Sequence, residues 1–131
     1  MIYTNSDGGS RGNPGPGAIG VVIRNEDNVL EMYSEKIGNV TNNIAEYKAL
    51  IKALELASKY AKEVTCVLDS ELIVKQLLGD YKVRNEKLLL LFLEVQKLQE
   101  NFDKIKYVHV SRWDKFQQMA DNLLNRELDN K

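Results

Sequence analysis

The chain has few of the residues that staple small proteins together. It holds one cysteine, Cys66, and two prolines among its 131 residues. One cysteine cannot form an intramolecular disulfide, and no second Cys or His lies at the spacing of a zinc site. An unpaired thiol is typical of proteins from reducing compartments, so we expect a cytoplasmic location.

Segments that would enter or cross a membrane are also missing. The longest apolar run, residues 88–93, is far shorter than the roughly 20 residues that span a bilayer. The N-terminus begins Met1-Ile2-Tyr3 without a basic region followed by an apolar one, so we expect no signal peptide. We therefore expect no membrane partner.

The sequence carries almost no net charge. Its 18 Lys and Arg residues nearly balance 19 Asp and Glu residues, which gives −1 at pH 7. Because phosphate binders usually show a basic surface, nucleic-acid binding would need local patches or metal ions that reverse the sign of an acidic site. An apolar share of 44% and this length predict one globular domain, residues 1–131, which we expect to be a monomer.

Glycine and proline are concentrated in residues 8–17, which hold five of the eight glycines and both prolines and therefore predict a loop. Elsewhere the apolar periodicity predicts five strands and four helices in the order β-β-β-α-β-α-α-β-α. The predicted strands are residues 2–7, 18–24, 29–37, 64–68 and 105–110. The predicted helices are residues 43–60 (capped by Thr41 or Asn42), a helix capped by Asp69-Ser70 that runs to Leu78, and residues 86–101 and 117–128. This order predicts an α/β fold with a mixed five-stranded sheet, an antiparallel meander plus two parallel strands, and helices on both faces.

Four acidic residues lie where solvent-exposed acids are not expected. Glu46 and Asp121 each begin an apolar row of a predicted helix. Asp7 and Asp69 each end a predicted strand. Taken singly, each has a simpler role. For Glu46, a capping-type acid near the helix N-terminus is as plausible as a functional role. For the others the simpler role is favoured: a first-turn acid for Asp121, an Asx-turn for Asp7 and an N-cap for Asp69.

Taken together, the four carboxylates predict a metal site. Sites in open α/β sheets gather at the carboxyl ends of strands, where Asp7 and Asp69 stand side by side if their strands are parallel neighbours. Converging acids raise one another's pKa, and divalent cations remove that repulsion. Ligation by oxygen alone suits Mg²⁺ or Mn²⁺. Two such ions about 3.5–4 Å apart activate a water and stabilise the leaving oxygen of a phosphodiester.

Four motifs in chain order make the sequence resemble ribonuclease H of type 1. The motifs are the strand-Asp-Gly-loop-Gly-Asn-Pro-Gly segment at residues 3–15, Thr41-Asn42-Asn43-Ile44-Ala45-Glu46, Leu68-Asp69-Ser70-Glu71-Leu72-Ile73-Val74, and Val110-Ser111-Arg112 followed by Met119-Ala120-Asp121. The resemblance covers nearly the whole chain. Four motifs in order at suitable spacing are far more specific than one.

The resemblance implies an endonuclease that cuts the RNA strand of RNA/DNA hybrids and leaves 5′-phosphate and 3′-hydroxyl ends. It implies that Asp7, Glu46, Asp69 and Asp121 hold two Mg²⁺ ions, which Mn²⁺ can replace, and that Asp69 or Glu46 orients the attacking water. Arg112 matches the position of a mobile His or Arg that assists product release. The implied substrate-binding residues are Gly8, Gly9, Asn13, Thr41, Asn42, Asn43, Ser70 and Glu71. Among these, Thr41 would bind a DNA-strand phosphate and the asparagines would contact the 2′-hydroxyls of RNA.

Three departures from the family pattern affect substrate binding. Glu71 stands where the family usually has Gln, and a carboxylate cannot donate a hydrogen bond. The spacing from Arg112 to Asp121 is two residues longer than usual. A basic protrusion that some members use to grip DNA is missing between the two middle helices, so we expect modest substrate affinity.

Other interpretations remain open at this point. The same fold could act on double-stranded RNA or on DNA, or bind hybrids without cutting them, or hold metal for a purpose unrelated to nucleic acid. Trp113 could stack on a base or cover the sheet edge. The Gly15-x-Gly17-x-x-Gly20 pattern precedes a predicted strand rather than a helix, so we expect no nucleotide cofactor.

Overall fold

Five strands and four helices follow one another along the chain in the predicted order. The computed structural model describes residues 1–130. The strands are β1 (Ile2–Ser10), β2 (Gly15–Arg24), β3 (Val29–Val40), β4 (Glu63–Leu68) and β5 (Lys104–His109). The helices are α1 (Asn42–Ala57), α2 (Glu71–Leu77), α3 (Glu86–Gln99) and α4 (Lys115–Asp129). No helix in this described part of the chain has the length and apolarity needed to cross a bilayer.

The strands form one mixed sheet in the spatial order β3-β2-β1-β4-β5. Strands β1, β2 and β3 pair antiparallel, as hairpin-connected neighbours do. Strand β4 pairs parallel with β1 and with β5, and each parallel step is bridged by helical segments. The predicted fold class is confirmed, and β1 lies at the centre of the sheet.

Helices α1 and α4 lie on opposite faces of the sheet. Asp7 pairs with Gly20 across β1 and β2, so these two residues lie on the same face of the sheet. Successive residues of a strand alternate between the two faces. Gly8, which follows Asp7, therefore lies on the face opposite to that of Gly20. The backbone of Ala45 in α1 covers Gly8, whereas the backbone of Ala120 in α4 covers Gly20. Helices on both faces are therefore confirmed.

The main core lies between α1 and the sheet. Tyr47, Leu50 and Leu54 recur at helical spacing along α1 and are almost completely buried. Val95 is the only fully buried residue that α3 contributes in the described part of the chain. The Tyr47 hydroxyl donates a 2.6 Å hydrogen bond to Oε1 of Gln76 in α2, which satisfies the polar end of a buried ring.

Several predicted boundaries were wrong by two to three residues, above all beside the glycines. The predicted loop over residues 8–17 shrinks to residues 11–14, because β1 continues to Ser10 and β2 begins at Gly15. Strand β3 continues to Val40, and α1 ends at Ala57 rather than at residue 60. Glycine's low strand propensity predicted a loop, but ladder pairing and close packing override local propensity here.

Candidate metal centre

Asp7 and Asp69 stand side by side because their strands are parallel neighbours. Asn5 pairs with Val67, and two further residues along each strand bring Asp7 level with Asp69. Asp69 follows the last residue of β4, but Asp7 lies inside β1 rather than at its end. The Asx-turn interpretation of Asp7 is therefore wrong, and the N-cap of α2 is Ser70, not Asp69.

Glu46 reaches the two aspartates because α1 lies directly on β1. A Cβ on Gly8 would overlap the carbonyl group of Ala45, so only glycine permits this approach. The next helical residue is Glu46. One carboxylate oxygen each from Asp7, Glu46 and Asp69 lies within 4.8 Å of the other two.

Asp121 is held near this group by a matching arrangement on the other face. A Cβ on Gly20 would overlap the carbonyl oxygen of Ala120, so α4 also lies directly on the sheet, and Asp121 follows. Asp121 is the seventh residue of α4, so its interpretation as a first-turn acid is wrong. Its side chain is exposed and borders, with Asp7 and Asp69, an open cleft of about 600 Å³. Asp121 is not part of the closest three-carboxylate group.

The pKa values of the three clustered acids are all raised, chiefly by burial. Burial, and next the charge of Asp69, raise the pKa of Asp7 to about 8. Burial, and next the charge of Asp7, raise the pKa of Glu46 well above its usual value. Burial also raises the pKa of Asp69. Each shift reflects a carboxylate that the protein itself does not neutralise.

The donor set fits a divalent cation. Oε2 of Glu46 is buried and has no hydrogen-bond partner among the described residues, although an unpaired buried carboxylate oxygen is costly. The clustered donors are all carboxylate oxygens, which is the ligand type that Mg²⁺ and Mn²⁺ prefer. A cation here would satisfy the orphaned oxygen and cancel the repulsion that raises the pKa values.

Without metal, folding stability is expected to fall as the pH rises from about 5 to 8. The folded protein keeps a proton on Asp7 up to about pH 8, whereas an unfolded aspartate releases it near its ordinary value of 3.8. The stabilisation that this proton provides is therefore complete below the pKa of Asp7 in the unfolded chain. It is lost as the pH rises through the pKa of Asp7 in the folded protein. Thermal unfolding in chelator at pH 5, 6.5 and 8 measures it, and added Mg²⁺ should restore stability at pH 8. A melting temperature that stays constant or rises between pH 5 and pH 8 would contradict the expectation that folded Asp7 keeps its proton up to about pH 8.

Gln117 is a site residue that the sequence analysis missed. Its side chain is completely buried in the first turn of α4. Its Nε2 donates to the Ser6 carbonyl oxygen at 2.8 Å, and its Oε1 accepts from Nδ2 of Asn5 at 3.1 Å. These bonds join α4 to β1 beside the carboxylates. The spacing of the sequence could have revealed it, because Gln117 lies on the same helical row as Ala120 and Leu124. A polar residue is unusual on such an apolar row.

The four residues predicted to bind the two strands of a hybrid border one hollow at the N-terminus of α1. Thr41, Asn42, Asn43 and Asn13 line this space of about 790 Å³. Oγ1 of Thr41 caps α1. Oδ1 of Asn13 accepts from the Asn42 backbone N–H at 2.9 Å, and Oδ1 of Asn42 accepts from the Ser10 N–H at 3.0 Å. Because these oxygens are occupied, a ligand would meet mainly the amide N–H donors of Asn13 and Asn42.

The other predicted substrate-binding residues have defined local roles. Ser70 caps α2 through its hydroxyl. The Glu71 carboxylate lies 3.0 Å from Nζ of Lys75, which lowers the pKa of Glu71. A Cβ on Gly9 would meet its neighbours at ordinary van der Waals distance, so internal packing does not demand glycine there. Their contacts with substrate stay predictions.

Arg112 borders the same cleft as the carboxylates. Helix α4 begins at Lys115 and is capped by Asp114, two residues earlier than predicted. Most of the segment between Arg112 and Asp121 is therefore helical, and only residues 113 and 114 separate Arg112 from α4. Trp113 is 69% exposed and does not cover the sheet edge.

Comparisons with known proteins agree with this fold. A family model described as reverse transcriptase-like matches residues 5–127. The crystal structure of RNase H1 from the halophilic archaeon Halobacterium salinarum NRC-1 is 36% identical with a TM-score of 0.94, and the match covers 99% of this chain and 98% of that one. LC11-RNase H1, solved in complex with an RNA/DNA hybrid, is 40% identical with a TM-score of 0.92, covering 98% and 97%.

One curated relative is much longer than the matched region. The bifunctional protein Rv2228c of Mycobacterium tuberculosis (strain ATCC 25618 / H37Rv) is 40% identical over 131 residues, which is 98% of this chain but 35% of that protein. The chain thus spans about a third of that relative. The chain belongs to the reverse transcriptase-like family and, within it, to the type 1 ribonucleases H, as its four motifs predicted.

Proposed function

We propose that the chain is an endonuclease that hydrolyses the RNA strand of RNA/DNA hybrids and leaves 5′-phosphate and 3′-hydroxyl ends. One observation carries this proposal. Asp7, Glu46 and Asp69 place three carboxylate oxygens within 4.8 Å of one another, and a buried oxygen of Glu46 is left without a hydrogen-bond partner among the described residues. Such a group is costly to fold unless it serves a bound cation.

Asp7, Glu46, Asp69 and Asp121 would hold two Mg²⁺ ions, which Mn²⁺ can replace. When bound, the ions would supply the positive charge that activates water and stabilises the leaving oxygen. The chain itself supplies placement. Asp7 lies in β1, and Asp69 directly follows the neighbouring strand β4. The other two acids lie on helices that touch the sheet backbone at Gly8 and Gly20. Glu46 or Asp69 would orient the attacking water.

The substrate assignment rests on the hollow at the start of α1. Asn13 and Asn42 line this space. Their amide N–H groups can donate hydrogen bonds, which 2′-hydroxyls accept. Thr41 would contact a phosphate of the DNA strand. LC11-RNase H1, a relative of near-identical fold, was solved with a hybrid. The net charge of −1 supports modest rather than tight binding.

A substrate panel tests the proposal. A 5′-labelled RNA strand is paired with DNA or with RNA, and a labelled DNA strand is paired with RNA, each incubated with Mg²⁺, Mn²⁺ or chelator. We expect metal-dependent cutting of the RNA in the hybrid at a rate at least about tenfold above that in double-stranded RNA. The 5′ ends of the products are identified by whether a kinase can phosphorylate them directly. The 3′ ends are identified by whether a polymerase can extend them directly.

Two other outcomes would redirect the assignment. Faster cutting of double-stranded RNA or of DNA would assign a different nuclease substrate. Binding of the hybrid without cutting under either metal would leave a non-catalytic hybrid-binding module. A cytoplasmic location belongs to the same proposal, supported by the one cysteine, Cys66, which is buried and free. A monomeric state is part of the proposal as well.

A further inference from the structure

A tight turn between β5 and α4 presents an exposed aromatic ring beside the carboxylates. Trp113 is the only tryptophan in the sequence, and 69% of its surface is exposed. The guanidinium carbon of Arg112 lies 4.7 Å from the centre of its ring. Both residues line the cleft that Asp7, Asp69 and Asp121 also line.

The backbone of this turn is fixed, although its side chains are exposed. Oγ of Ser111 accepts from the Trp113 N–H at 3.1 Å, and the Ser111 carbonyl accepts from the Asp114 N–H at 3.0 Å. The Asp114 carboxylate then caps α4 by accepting two backbone N–H bonds at 3.1 Å. The turn therefore holds Trp113 in place without burying it, which is the arrangement of a contact residue rather than of a core residue.

The chemistry of the pair complements a nucleic-acid strand. Next to an acidic cluster, Arg112 supplies a positive charge that suits a phosphate. An aromatic face beside an arginine is a recurrent platform for nucleosides. In an A-form-like duplex the bases are stacked inside, and the sugars line a wide, shallow groove. The surface within reach of Trp113 is therefore the ribose-phosphate backbone.

We propose that Arg112 and Trp113 bind the strand that is cut, with the Trp113 ring packed on a ribose next to the scissile position and Arg112 paired with the adjoining phosphate. The assignment rests on the proposed function and adds a substrate contact to it. Because the ring contacts substrate before and during the reaction alike, its contribution is to binding rather than to turnover.

The single tryptophan makes the contact directly measurable. Asp7→Asn protein in Mg²⁺ is titrated with unlabelled hybrid while tryptophan emission and acrylamide quenching are recorded. A parallel titration with dye-labelled hybrid follows binding by anisotropy. We expect the acrylamide quenching constant to fall at least about twofold at saturation, in step with the anisotropy, as the exposed ring becomes covered. Saturated binding with unchanged emission and quenching would overturn the proposal, as would failure of the hybrid to bind.

A displaced tryptophan provides the matched control. Tyr60, 41% exposed, follows the C-terminal end of α1, away from the cleft. In the double variant Trp113→Phe with Tyr60→Trp, the single tryptophan lies at position 60. Its emission should not change when the hybrid binds. A change of equal size at residue 60 would mean that the signal is not local and would overturn the proposal.

The kinetics separate this contact from a structural role and from the proposed function. We expect Trp113→Ala to raise KM about 5- to 20-fold with kcat changed less than about twofold, and Trp113→Phe to recover most of the loss. An unchanged KM, or a fall in kcat alone, would overturn the contact. Quenching protection in a protein that cuts no hybrid would support the contact while refuting the nuclease activity.

Discussion

Replacing Asp7 with asparagine is expected to lower the rate of hybrid cleavage by at least about 10³-fold while making the metal-free protein more stable. The amide keeps the shape of the side chain but removes the central charge of the cluster. Loss of a group that organises transition-state charge typically costs about 10²–10³-fold, and loss of a metal ligand adds weakened cation binding. Activity is measured at saturating Mg²⁺ on the labelled hybrid.

The gain in stability follows from the same carboxylate. In the absence of metal, burial, and next repulsion from the charge of Asp69, raise the pKa of Asp7 to about 8. An amide ends that repulsion, so the melting temperature in chelator at pH 8 should rise. Each kcal/mol gained corresponds to about 3–5 °C for a domain of this size. The pH dependence between 5 and 8 should also become flatter.

An exposed aspartate outside the cluster provides the control. Asp27 lies in the turn between β2 and β3, at the opposite end of the strands. Asp27→Asn should change neither cleavage nor stability appreciably. If Asp7→Asn loses activity together with stability, the loss reports damage to the fold rather than to metal binding. Cleavage within about tenfold of the original rate would show that Asp7 is not a metal ligand.

The order and pairing of the elements could be predicted because periodicity and topology rules fix them. Continuous apolar character marked β4 as a buried strand, and the β-α-β order predicted parallel strands. Asp7 and Asp69 were expected side by side if β1 and β4 were parallel neighbours, and the structure shows that pairing. The resemblance of four motifs supplied the family, but apolar spacing alone had already separated Glu46 from the polar stripe of its helix.

The features that could not be predicted depend on tertiary packing. Residues 8–17 read as a loop because glycine and proline are counted as breakers, yet the absence of a Cβ at Gly8 serves the contact with α1. The start of α4 at Lys115 was missed because the turn that ends at its N-cap, Asp114, shows no apolar periodicity that would mark a helix. Gln117 was missed because an amide on an apolar row looks like an exception until its partners are known.

The two glycine contacts show how the site depends on the fold. On each face of the sheet, a glycine lies against an alanine, and the acid of the site is the next residue in the helix: Ala45 then Glu46, and Ala120 then Asp121. A helix that lay one methyl group farther from the sheet would carry its acid with it. Positions of helices and positions of carboxylates are therefore set by the same contacts.

Gly20→Ala is accordingly expected to cost about 2–4 kcal/mol of folding free energy and to reduce cleavage about 10²-fold. Its Cβ would overlap the carbonyl oxygen of Ala120 and lie 3.0 Å from Cβ of Leu123, and both belong to a helix that must shift as a unit. Overpacking of this kind commonly costs about 1–3 kcal/mol, and more where backbone has to move. A displacement of about 1 Å at Asp121 is enough for the loss of rate.

Gly38→Ala is the matched comparison, because it adds the same methyl group where nothing lies within 4 Å of the new Cβ. Its positive φ of 81° should cost about 1–2 kcal/mol, with cleavage unchanged. Urea unfolding gives both free energies, and cleavage is compared at a temperature where both variants are fully folded. Equal stability of the two variants would contradict the close approach of α4 to β2. A destabilised Gly20→Ala protein with full activity would show instead that the position of Asp121 does not limit the reaction.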